Sequence, residues 1–92
     1  MRFTQKLEHT MSDLNTQFLE AVAGSKTLPN RPDDQSMLKL YALYKQGTQG
    51  DAAGEAPGDM VGVFKHNAWA ELAGMSKDAA QQQYIDLVAS FR

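Results

Sequence analysis

Cysteine is absent from the chain, which excludes a disulfide framework and thiol chemistry and fits a reducing compartment. No apolar run is long enough to span a bilayer, and the first ten residues lack the apolar centre of a secretory signal. A cationic excess is also missing: nine Lys and Arg face eleven Asp and Glu, a net charge of −2. Without a global positive field, neither nucleic acid nor an anionic membrane is an expected partner, so any anion site must be built locally. His9 and His66 lie far apart with no Cys or Glu at ligand spacing, and no metal is expected. Gly47-Thr48-Gln49-Gly50 lacks the Gly-Lys-Ser/Thr ending of a phosphate loop and follows no strand. Asp33, Asp34, Asp78 and Asp86 read as helix-start and surface charges, with no pair suited to acid–base work. A cytoplasmic protein with no stable membrane insertion is the expectation.

Ninety-two residues make one small domain, because so short a chain has surface enough for a single core. β-Branched residues are sparse and Ala, Leu, Lys, Gln and Glu dominate, so the fold class is all-α. Residues 1–11 read as a polar N-terminal extension and 12–92 as the folded domain. A first helix starts at Ser12 or Asp13 and runs to Gly24 or slightly beyond, with Leu14, Phe18, Ala21, Val22 and Ser25 facing inward. Pro29 and Pro32 flank a linker, and Pro32 suits the first position of a second helix ending near Gly47. Residues 47–58 hold four of the seven glycines and Pro57, a long loop that must span the bundle or carry function. A third helix, from about Asp59 or Gly62 to Ala73, is closed by Gly74. Ser76 caps a fourth, with Ala80, Tyr84, Ile85, Leu87, Val88 and Phe91 on its inner stripe. The sum is a four-helix bundle.

Two lysines stand in the wrong place on these helices. At about 100° per residue, Met37, Leu40, Tyr41 and Tyr44 share one apolar arc, and Lys45 falls inside it, between Tyr41 and Leu38. Lys39 takes the opposite, solvated side. The third helix repeats the pattern: its apolar face is Val61, Ala68, Trp69 and Leu72, with Lys65 in the middle. Lys26 borders the stripe of the first helix. A cation buried unpaired in an apolar stripe is costly, so these lysines are expected at the mouth of an anion site. Tyr41 and Tyr44 alone would read as packing residues; two misplaced lysines beside them shift the reading to ligand binding. Trp69, the largest apolar side chain of its helix, is expected to anchor the core. Tyr84 is expected to pack its ring and turn its hydroxyl to the site, and Lys26 and Arg31 fit ligand or solvent equally.

The segments Leu40-Tyr41-Ala42-Leu43-Tyr44-Lys45-Gln46-Gly47, Lys65-His66-Asn67-Ala68-Trp69-Ala70-Glu71-Leu72 and Ser76-Lys77-Asp78-Ala79-Ala80 through Tyr84-Ile85-Asp86 resemble the acyl-CoA-binding protein family. The likeness covers about residues 12 to 91. It implies an up-down-down-up four-helix bundle and an intracellular carrier of medium- to long-chain fatty acyl-CoA esters that catalyses nothing and needs no cofactor. Carried over by position, it implies that Tyr41, Lys45 and Lys65 hold the nucleotide 3′-phosphate. Tyr44 would pack against the adenine, Tyr84 line the site and Lys26 approach the ligand. The approach to the third helix is about two residues shorter than usual, and Ala56 and the stretch before Lys65 lack cations that relatives carry. Fewer cations imply weaker nucleotide binding, a shift of the work to Lys26 and Arg31, or a larger share of the phosphate charge on Lys45 and Lys65. A monomer is expected, in transient contact with acyl-CoA-using enzymes. Two other classes compete: a helical interaction module docking a partner through the tyrosine face, and a thioester hydrolase, for which the chain offers no cysteine and no Ser-His-Asp set.

Overall fold

The computed structural model describes residues 14–56 and 58–92. The N-terminal extension with His9, the caps expected at Ser12 or Asp13, and Pro57 lie outside the described residues. Among these, four helices and no strand occur: α1 over residues 14–24, α2 at Asp34–Gln49, α3 at Met60–Ala70 and α4 at Lys77–Ala89. A single 3₁₀ turn, Ser25–Thr27, extends α1.

Each of the last three helices starts on a short polar side chain that accepts one of the backbone N–H groups a helix start leaves unpaired. Asp33 accepts from the Ser36 N–H at 2.8 Å, Asp59 from Gly62 at 3.2 Å, and Ser76 Oγ from Ala79 at 3.0 Å. Pro32 was expected at the first helical position of α2 but lies one residue before the cap. Asp33 has the extended backbone of a cap and a carboxylate to use, and the buried Pro32 ring packs instead.

The helix ends differ more from expectation. α2 does not stop near Gly47 but continues to Gln49. Gly47 is buried in the helix because a Cβ there would meet Gln81 Cγ at 3.0 Å; it permits close approach of α4. The stop comes at Gly50, whose φ of +85° suits glycine. α3 ends at Ala70, before Ala73: Leu72 and Ala73 donate back three residues to Trp69 and Ala70, tightening the last turn. Gly74 then reverses the chain at φ +92°.

Side-chain contacts give the helix directions. Phe18 of α1 stacks near Tyr44 and meets Tyr84 edge-on, with centroids 6.1 and 5.3 Å apart. The end of α1 reaches Tyr84 through Ser25, and Gly24 lies against Arg92. α1 therefore runs parallel to α4 and antiparallel to α2. Lys65 meets Tyr41, and four residues on Trp69 meets Lys45, so α3 runs parallel to α2. This is an up-down-down-up bundle, and the segment between Gln49 and Met60 has to travel back along its length.

The core joins α1, α2 and α4: Phe18, Ala21, Leu40, Leu43, Ala80, Tyr84 and Val88 form one cluster, with Phe18 only 1% exposed. α3 contributes no fully buried residue and packs on α2 from outside. Val61, expected on its inner face, is 58% exposed. Met37, expected on the apolar arc of α2, is exposed as well. Trp69 is half-buried beside α2 and is not part of the core cluster, so the expected anchoring role is corrected. Packed on α2, α3 leaves this side chain only partly covered.

Candidate ligand-binding site

Tyr41 and Lys45 are one turn apart on α2, as Lys65 and Trp69 are on α3. Parallel packing sets these two pairs level. Lys65 Nζ lies 5.2 Å from the centre of the Tyr41 ring, and Lys45 Nζ lies 6.0 Å from the same ring and 5.0 Å from that of Trp69. Two ammonium groups thus converge on one phenol ring. Among the described residues, neither has a carboxylate within ion-pair reach. Lys45 is half-buried and Lys65 exposed, so both can reach an incoming anion without being stranded in the core.

Tyr41 also faces a groove of about 670 Å³ between the end of α1, the linker and α2. Its walls are mainly apolar, from Val22, Leu28, Met37 and Leu40, and Lys26 and Arg31 bring two cations to it. Tyr44 is 39% exposed and presents a ring to the groove. Tyr84 lines it from α4 with its ring almost fully buried, and its hydroxyl donates to Ser25 Oγ at 3.3 Å. Ser25 in turn donates to the Val22 carbonyl at 2.7 Å, which fixes this corner.

Of the residues singled out from the sequence, Lys26, Tyr41, Tyr44 and Tyr84 line the groove, while the ammonium groups of Lys45 and Lys65 lie 6.0 and 5.2 Å from the centre of the Tyr41 ring. Tyr41 belongs to both halves. Sequence reasoning missed Trp69 as a neighbour of Lys45. The spacing argument that paired Tyr41 with Lys45 applies equally to Lys65 and Trp69.

A polar network closes the end of the bundle next to Lys45. Gln46, completely buried, donates through Nε2 to Asp51 Oδ1 and to the Met75 carbonyl, both at 2.8 Å. The Gly74 N–H donates to the same carboxylate oxygen at 3.0 Å. These two bonds, that from Gly74 foremost, hold the Asp51 carboxyl below its ordinary range. The Trp69 indole donates to the Gly50 carbonyl at 2.7 Å and Gln81 to that of Gly47 at 2.9 Å. Gln46 Oε1 is buried without a partner. Among the described residues no cluster of His, Cys, Asp and Glu could hold a metal ion.

Residues 15–88 match the family model of acyl-CoA-binding proteins. The chain is 48% identical over 73 residues to acyl-CoA-binding protein homolog 1 of Caenorhabditis elegans, a match spanning 77% of this chain and 85% of that one. The crystal structure of Oryza sativa acyl-CoA-binding protein 2 superposes with a TM-score of 0.80 at 35% identity, covering 85% of this chain and 89% of the other. A stretch of 67 residues, 71% of this chain, is 45% identical to human enoyl-CoA delta isomerase 2, but makes up only 17% of that protein. The fold and the site define a small helical ligand binder. The chain belongs to the acyl-CoA-binding protein family.

Proposed function

We propose that the chain is a reversible carrier of medium- to long-chain fatty acyl-CoA esters, with no chemical step of its own. The observation that carries this reading is the double use of Tyr41, whose ring centre has the Lys45 and Lys65 ammonium groups 6.0 and 5.2 Å away and which also lines a largely apolar groove. Lysines supply mobile point charges for phosphate, and the Tyr41 hydroxyl is a further donor. In this reading Lys45, Lys65 and Tyr41 hold the nucleotide 3′-phosphate. Tyr44 offers its exposed face to the adenine, Tyr84 lines the site, and Lys26 and Arg31 supplement the charge. A cytoplasmic location accords with the absence of cysteine and of any described helix able to cross a membrane.

Two magnitudes set the specificity. A hydrogen bond to a charged group contributes about 1.5–3 kcal/mol, and each buried methylene about 0.8 kcal/mol. A dozen methylenes give roughly 10 kcal/mol gross, before the cost of ordering the chain and immobilising the ligand. The alkyl part then separates long-chain acyl-CoA from free CoA, and the phosphate contacts separate acyl-CoA from free fatty acid. Titration calorimetry with palmitoyl-CoA, CoA and palmitate should give tight one-to-one binding, weaker binding and no measurable binding, respectively. Lys45→Ala should weaken palmitoyl-CoA binding tenfold or more, on the order of one such bond, and Lys39→Ala hardly at all. Equal affinity for palmitate and its CoA ester would refute the reading. No observation favours the docking module considered from the sequence.

A further inference from the structure

Trp69 is the single tryptophan of the chain, and it belongs neither to the core nor to the free surface. Its indole N–H is bound to the Gly50 carbonyl, its ring lies 5.0 Å from Lys45 Nζ, and His66 meets it edge-on at 6.2 Å. The Lys45 ammonium is therefore in reach of two rings, Tyr41 on its own helix and Trp69 on the next. A lysine side chain is long and rotamer-rich, and capturing a ligand with it means freezing that freedom. An aromatic face within about 6 Å attracts an ammonium electrostatically and leaves its N–H groups free to donate elsewhere.

The ring itself is held by more than packing. Gly50 ends α2 with a positive φ, and its N–H bonds to the Gln46 carbonyl at 3.2 Å. The next residue, Asp51, is tied to Gln46 and to Gly74. The carbonyl that receives the indole N–H is thus fixed from the end of α2 and from the turn between α3 and α4.

We infer that Trp69 is a positioning residue for Lys45: its ring holds the ammonium at the mouth of the site before ligand arrives, and the Gly50 carbonyl sets the ring. The inference deepens the proposed carrier function and rests on the reading that Lys45 meets the nucleotide phosphate. It goes beyond a packing role because the effect of Trp69 on binding passes through Lys45 alone.

The test is a cycle of variants, Trp69→Leu, Trp69→Phe, Lys45→Ala and the Trp69→Leu/Lys45→Ala double, each titrated with CoA and with 3′-dephospho-CoA. Wild type should prefer CoA. Trp69→Leu should cut that preference about two- to fivefold, the range of a cation–π contact of this kind. Trp69→Phe, which keeps a ring face, should restore part of it. Lys45→Ala should leave nothing for Trp69→Leu to remove. An unchanged preference in Trp69→Leu, or a loss of equal size with and without Lys45, would overturn the inference. A wild type that binds CoA and 3′-dephospho-CoA alike would instead overturn the phosphate reading beneath it. If Trp69→Leu fails to fold, proton NMR of the ligand-free wild type decides. A nuclear Overhauser contact should join the ε-methylene of Lys45 to the indole ring protons of Trp69, and its absence would end the proposal.

Discussion

Asp51 shows how a surface carboxylate can be tied to a buried amide. The Gly74 N–H and then the Gln46 side chain favour its charged form and lower its pKa from the ordinary 3.8. A carboxyl whose folded value lies below its unfolded value adds stability above the unfolded pKa and loses it as pH falls through the folded one. Asp33, held by Ser36, acts in the same direction. Asp51→Asn keeps an acceptor but removes the charge and sets a new amide against two donors. Thermal unfolding should therefore show a lower midpoint at neutral pH and a shallower decline below about pH 4, with Asp33 leaving part of the decline in place. An acid limb identical to wild type would contradict this role. None of the network was legible in the sequence. Gln46 reads as the polar end of a helix, and its burial depends on Asp51, five residues on, and Met75, twenty-nine on. Lys45 was legible because its anomaly is local, an angle on one helix. The setting of Trp69 was not, since its acceptor Gly50 is nineteen residues away and sheer size argues for the core.

Of the helix starts, Ser76 was legible for the same local reason, as a cap by side-chain chemistry alone, whereas Asp33 reads as a first-turn charge behind Pro32 and the start of α3 as either Asp59 or Gly62 until the backbone shows both aspartates capping. Helix ends were less so. A glycine can stop a helix or let a neighbour approach, and only the position of Gln81 decides between these for Gly47. Gly74 is the clean case of a stop. Its φ is +92° and a Cβ there would meet nothing within 4 Å, so substitution bears only the backbone cost. Gly74→Ala should lose about 1 kcal/mol, read as a lower urea midpoint at unchanged m-value. A neutral result would mean that the turn relaxes at no cost. The outer place of α3 was hidden as well, because an amphipathic pattern tells that a helix has an inner face but not how many neighbours cover it. Exposed Met60, Val61 and Phe64 are the result.

In the whole molecule, Phe18 is the residue on which three helices close, and it touches the undersides of Tyr44 and Tyr84. Phe18→Ala should lower the unfolding free energy by about 3–5 kcal/mol, the range for a buried phenylalanine, as measured by urea denaturation. A loss under 1 kcal/mol would mean that the core repacks around the gap. The four-helix count and the long return loop were legible from periodicity and glycine content, and the helix directions came with the family resemblance. What joins the two ends of the chain was not, because nothing local in α1 names α4 as its partner. That pairing has a consequence for how the molecule is made. A nascent chain ending at α3 carries Phe18, Leu40 and Leu43 without the Ala80, Tyr84 and Val88 side that completes their cluster. The cluster is complete only once α4 has been added to the chain.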